Sequence, residues 1–230
     1  MQPHRQKCWV IPPNQNAEFV ACMEDVLDLY QRPFDSDVPV VCMDECPVQL
    51  VKETRIPLPP EPGRLRRFDY EYERAGTAAV FLFTEALAGR RRTTVRPRRT
   101  AVDWAQEVRT LDRSYPHARR IILICDNLNT HNVASFYKAF PPSEARRLAE
   151  RIEIHYTPKH GSWLNIAECE VSVLSRQCLH GRTPDIQMLS SKVRAWDTDR
   201  NNRQCGVDWQ FTTEDARIKL KKLYPSLQMS

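Results

Sequence analysis

Apolar positions along this chain follow two periods, and the changes from one to the other outline its elements. Between Asn16 and Phe34 they recur at Phe19, Cys22, Met23, Val26, Leu27 and Tyr30. That is the three–four spacing of one helix face, with Asn16 placed to cap it. Val38–Met43 is a short apolar strand that stops at Asp44 and Glu45, and Pro57, Pro59, Pro60 and Pro62 then mark a loop. Residues 68–74 alternate as a half-buried strand does, and Thr77–Thr84 is a longer apolar strand. Arg120–Cys125 is almost wholly apolar, the pattern of a strand covered on both faces, and it stops at Asp126. Helices are predicted over 101–114, Asn132–Phe140, Pro142–Arg151, Ser162 to about Leu179, Ile186–Arg200 and Thr213–Leu223, with a strand Ile152–Tyr156 before Pro158. Strands first, then helices and strands in alternation, predict an α/β fold with a mixed sheet.

Composition narrows this picture a little. The 230 residues, 41% of them hydrophobic, suit one large domain with a substantial core. No apolar run approaches the roughly 18 residues that span a bilayer, and the first residues lack the apolar stretch of a secretory signal. A cytoplasmic location is the default expectation. The eight cysteines are scattered at 8, 22, 42, 46, 125, 169, 178 and 205, several inside apolar runs, where a reduced thiol acts as a small hydrophobe. Cys42 and Cys46 have no second pair at zinc-site spacing, so neither disulfides nor a structural zinc is expected.

The net charge is +5, and its distribution is more telling than its size. Arg90, Arg91, Arg92, Arg96, Arg98 and Arg99 crowd into one short segment, with Arg64, Arg66 and Arg67 before it. Arginine-rich segments of this kind suit phosphate backbones, and they also suit a sheet edge guarded by charge.

Two apolar strands each end in aspartate, Asp44 and Asp126. In open α/β sheets ligands gather beyond the carboxyl ends of strands. An aspartate there either caps the next helix or holds a cation. A third carboxylate is available on the helix after Ser162. Its apolar stripe is Leu164, Ala167, Val171, Leu174 and Cys178, and Glu168 and Glu170 lie on opposite flanks of that stripe. Periodicity does not choose between them. Three carboxylates would suit two hard cations held about 3.5–4 Å apart for an in-line displacement at phosphorus.

Three strings give these acids a context: VVCMDE at 40–45, CDNLNTH at 125–131 and YTPKHGSWLNIAE at 156–168. Together they resemble the catalytic motifs of mariner-like bacterial insertion-sequence transposases, the IS family numbered 630. Further stretches, among them YEYERAGTA and FTTEDARIKLKKLYP, extend the resemblance over nearly the whole chain. The third string is the most specific, being long and chemically uneven.

The resemblance implies an RNase H-like fold, a mixed five-stranded sheet flanked by helices. It implies a catalytic, metal-binding triad of Asp44, Asp126 and Glu168, with Glu168 selected because it closes the motif opened by Asn165. Two Mg²⁺ ions, replaceable by Mn²⁺, are implied, and no organic cofactor. The implied activity is cleavage of double-stranded DNA at transposon ends by water, then strand transfer to target DNA by the freed 3′-hydroxyl, by a homodimer on DNA. Asn127, His131 and Asn165 are expected as supporting residues, His131 serving either to orient the site or to cap a helix. Lys159, His160 and the six arginines from Arg90 to Arg99 are expected to contact DNA, and Trp163 to pack. A division of 1–36 as lead-in, 37–205 as catalytic domain and 206–230 as a basic tail is expected. The resemblance also implies a helix-turn-helix region, for which the residues before 16 leave no room, and a lysine where Cys46 stands. The competing expectation is therefore a non-catalytic, truncated transposase that binds DNA or a full-length partner and inhibits transposition.

Overall fold

Five strands form one mixed sheet in the order β3-β2-β1-β4-β5 in this computed structural model, which describes residues 14–204 and 206–226. Cys8, Cys205 and the outer parts of the expected lead-in and tail, 1–13 and 227–230, lie outside the described residues. Strands β1 (Val40–Glu53), β2 (Tyr72–Glu85) and β3 (Arg90–Arg96) form an antiparallel meander. Strands β4 (Ile121–Asp126) and β5 (Ile152–Thr157) add to β1 in parallel.

Alternation along the strands sorts their side chains into two cores. Val41 and Met43, Phe81 and Phe83, and Ile121, Leu123 and Cys125 face one side, where α2 (Ala101–Ser114), α3 (Ala134–Ala139) and α4 (Pro142–Arg151) pack with Trp104, Leu111, Phe136 and Leu148. Cys42, Val80, Leu82, Ile122 and Ile124 face the other side. There they meet α1 (Ala17–Tyr30), α5 (Ile166–Gln177), α6 (Ile186–Asn202) and α7 (Thr213–Lys219). β4 is apolar up to Cys125 because both of its faces are covered there, as its sequence predicts. α1 and α7, expected within lead-in and tail, both contribute to this second core: Phe19, Met23, Val26 and Leu27 from one, Ala216 from the other.

Two strands are longer than their continuous apolar runs. β1 continues nine residues past Asp44, to Glu53, through Pro47 and an alternation that turns Cys46, Val48 and Leu50 to the second core. The cause is its partner: β2 pairs with it from Cys42 to Glu53, whereas β4 leaves it after Cys42. The residues expected as two strands near 68–74 and 77–84 join into the single β2 from Tyr72.

The outer edge of β3 is covered by α6. The side-chain amide of Asn201 accepts from the Arg91 N–H at 2.8 Å and donates to the Arg91 carbonyl at 2.8 Å. Asp197 accepts the Thr93 N–H at 3.1 Å.

Candidate active site

The β1–β4 register sets the first two acids level. Cys42 pairs with Ile124, so two residues further on Asp44 and Asp126 stand side by side where the strands part. By alternation both belong to the face that carries α5. Glu168, in the first turn of α5, completes a group of three carboxylates lining one cleft of about 650 Å³, whose wall also includes Asn127, Leu128, Thr157, Pro158, Lys159, His160, Ser162 and Asn165.

What brings α5 to this place is a set of buried hydrogen bonds at its start. Asn165 caps the helix, its Oδ1 accepting from the Ala167 N–H at 3.0 Å, while its Nδ2 donates to the Met43 carbonyl at 2.9 Å. One side chain thus ties the helix that bears Glu168 to the strand residue before Asp44. The Tyr30 hydroxyl, at the end of α1, donates to the Leu164 carbonyl at 2.7 Å. The helix expected from Ser162 begins instead with a 3₁₀ turn, Ser162–Leu164, and becomes α-helical at Ile166. Trp163 packs edge-on against Phe211, as a packing anchor does. The preceding loop is tight: a Cβ on Gly161 would lie 2.5 Å from the Pro158 ring, and His160 takes a left-handed φ of 65°. Such strain in a residue other than glycine is tolerated where the surroundings enforce it, and it concentrates at functional clefts.

The two glutamates of α5 separate cleanly. Glu170 is buried, with Oε2 2.7 Å from Arg91 Nε and Oε1 2.7 Å from Arg200. Glu168 makes no ion pair among the described residues and faces the cleft.

Electrostatics mark Asp44 as out of balance. Burial raises its carboxyl to about 6 against the help of the Glu45 N–H, and the negative charges of Asp126, Glu168 and Glu45 push the same way. His131 goes far in the opposite sense. Burial alone would lower its pKa, but hydrogen bonds to Asp126, Cys125 and Glu45 outweigh that and raise it to about 11. Its Nδ1 lies 2.6 Å from Asp126 Oδ1 and its Nε2 3.1 Å from Glu45 Oε1. The ring is buried against Trp104 and bonded to Asp126, and it does not cap α3. Glu45 is the residue that sequence reasoning passed over. The available signal was alternation, which turns it to the face opposite Asp44.

The basic segment divides. Arg91 is paired with Glu170 inside the fold, Arg92 with Glu107, and Arg96 with Glu107 and Asp103. Of the six arginines expected at DNA, Arg91 is thus buried, and Arg92 and Arg96 are partly exposed. Arg90, Arg98 and Arg99 stay exposed, with Arg99 3.9 Å from Glu45. Lys159, His160 and Asn127 are exposed on the cleft wall.

Among the described residues no group of three His, Cys, Asp or Glu side chains forms a ready metal cage. Like charges around one space repel, and Asp126 is drawn to His131. The donors still fit a hard divalent cation: three carboxylates, none with an Arg or Lys partner among the described residues, beside room for waters and phosphate oxygens. Among the same residues, no helix is long and apolar enough to cross a membrane.

Residues 39–190 match the family model described as DDE superfamily endonuclease. No curated protein matches the chain. Among solved structures the fold is similar to the Mos1 mariner paired end complex with Mn, at a TM-score of 0.59 and 14% identity over 96% of this chain and 68% of that one. It is also similar to the Mos1 Strand Transfer Complex, at 0.55 and 15% identity over 87% of this chain and 61% of that one. The Mos1 paired end complex with Mg gives 0.54 and 14%, over 96% and 67%. At such identities the likeness is one of fold, the RNase H-like mixed sheet flanked by helices. The chain spans about two thirds of the length of these proteins.

Proposed function

The chain belongs to the DDE superfamily endonucleases, and on that premise we propose that it is the catalytic domain of a transposase that cuts double-stranded DNA at transposon ends and joins the freed 3′-hydroxyl to target DNA. The observation that carries the reading is the meeting of Asp44, Asp126 and Glu168, from β1, β4 and α5, on one cleft wall with no Arg or Lys partner among the described residues. The resemblance of the three motif strings supports the narrower reading, a mariner-like bacterial insertion-sequence transposase.

In this reading the three carboxylates hold two divalent cations, Mg²⁺ with Mn²⁺ as substitute. When bound, the ions supply activation of the attacking water or 3′-hydroxyl and neutralise charge on the leaving oxygen. The protein's own part is placement. Asn165 fixes the height of Glu168 against β1, Asn127, Lys159 and His160 receive phosphate oxygens at the rim, and Arg90, Arg98 and Arg99 extend the contact along the DNA backbone. The solved relatives are a paired-end complex with manganese and a strand-transfer complex. Metal use, strand transfer and a homodimer on DNA are proposed here by extension from them.

The test is nicking of supercoiled DNA in Mn²⁺ by the purified chain beside its Asp126→Ala variant. Cleavage by the first and none by the second is expected. If both bind DNA equally and neither cuts, the non-catalytic inhibitor is the better reading.

A further inference from the structure

Asp126 is the last residue of β4, and its side chain is 45% exposed ahead of an exposed turn. A carboxylate in that position would turn freely among its rotamers. Here one oxygen is engaged: Oδ1 meets His131 Nδ1 at 2.6 Å. The other, Oδ2, accepts no hydrogen bond among the described residues.

The histidine that engages Oδ1 is itself held by two contacts to its ring and two to its backbone. It stacks on Trp104, with centroids 5.5 Å apart and planes 25° apart. The Tyr156 hydroxyl donates to the His131 carbonyl at 2.7 Å. Its backbone N–H donates to the Leu128 carbonyl at 2.9 Å. Its Nε2 meets Glu45 Oε1 at 3.1 Å, and that carboxylate is only 4% exposed. Glu45 and His131 stand 86 residues apart in sequence and share no element. Consecutive residues of one strand thus serve the cleft from opposite faces of the sheet, Asp44 directly and Glu45 through the ring.

We propose that Glu45 and His131 are positioning residues for the second acid: Glu45 orients the imidazole, and the imidazole holds Asp126 Oδ1 so that Oδ2 is left for an ion in the cleft. The inference rests on the metal-dependent reading given above. Partners that orient a ligand in this way commonly set metal affinity, and their loss costs about 10- to 100-fold.

The experiment is titration of Mn²⁺ into the metal-free full chain by calorimetry, for the wild type, Glu45→Gln and Glu45→Ala, with thermal unfolding of each beside it. The amide of the Gln variant keeps a carbonyl to accept from Nε2–H, and the Ala variant keeps nothing. Mn²⁺ affinity is expected to fall about 10- to 100-fold in Glu45→Ala and to recover largely in Glu45→Gln. A group that merely supports the fold would lower the melting temperature and leave the affinity alone. Unchanged affinity in Glu45→Ala, or equal losses in both variants, overturns the proposal. Should Glu45→Ala not fold, His131→Asn, too short to reach Asp126, takes its place, and again unchanged affinity overturns it. Failure of the wild type itself to take up Mn²⁺ would remove the metal reading of the cleft and this inference with it. Normal binding by both wild type and Glu45→Ala would remove this inference alone.

Discussion

Carboxylates gather at two places in this protein, under the β3 strand and at the cleft, and the two groups are treated in opposite ways. Beside β3 three acids have arginines: Glu170 has Arg91 and Arg200, Glu107 has Arg92 and Arg96, and Asp103 has Arg96. At the cleft Asp44, Asp126 and Glu168 have no Arg or Lys among the described residues, and Asp44 is held near a pKa of about 6 by burial and its neighbours. The fold contains enough arginine to neutralise acids where it uses them for structure. Withholding it from one group leaves a site whose negative charge, beyond what His131 offsets at Asp126, a divalent cation from outside would meet.

The sharpest way to break this comparison lies within one helix. Glu170→Ala leaves Arg91 buried with its carboxylate gone, and a loss of about 3–5 kcal/mol in unfolding free energy is expected. Glu168→Ala, two residues earlier, is expected to change stability by less than about 1 kcal/mol while abolishing cleavage. Urea unfolding of the two variants checks this, and equal losses would merge the two groups.

Asp44→Asn probes the unneutralised side. The folded pKa of about 6 lies above the ordinary aspartate value of 3.8. The folded state therefore holds this proton more tightly than the unfolded state. The stability that this contributes is complete below about pH 4 and is lost as the pH rises through about 6. At neutral pH the metal-free wild type should carry a deficit of about 3 kcal/mol relative to the Asn variant, closing towards pH 4. Melting temperatures in chelator across pH 4–8 would show it. A variant no more stable than the wild type at pH 8 would mean that Asp44 is not strained.

The smallest expected effect concerns the arginines. Replacing Arg90, Arg98 or Arg99 with Gln should each lower the salt slope of DNA binding by about 0.9, one phosphate contact apiece. Arg92→Gln and Arg96→Gln should leave the slope unchanged and lower the melting temperature. Identical slopes for all five variants would return the basic segment to a single role.

Much of the fold can be read from the chain because burial leaves a periodic trace. The apolar run of β4 and the stripe of α1 are such traces. The second half of β1 leaves a weaker one: Cys46, Val48 and Leu50 alternate towards the second core, but Pro47 and the polar residues between them break up the run, and pairing with β2 completes the strand. In the site, Asp126 is visible as the acid that ends an apolar run. Glu168 and Glu170 flank the same stripe, and what separates them is an arginine 79 residues away from Glu170. The Glu45–His131 contact is hidden for the same reason, since local pattern carries no record of which distant side chains meet.

Asn201 has a consequence for how this protein behaves among its own copies. A sheet that ends in a strand with open amides and carbonyls is a template on which another chain can continue the ladder, the route to edge-to-edge polymers. The Asn201 amide presents to Arg91 the same donor and acceptor that a neighbouring peptide group would, and Asp197 takes the next outward N–H. Two side chains of a helix thereby stand in for a missing strand. The sheet is finished at that margin, and a concentrated solution of the protein has one fewer place to begin aggregating.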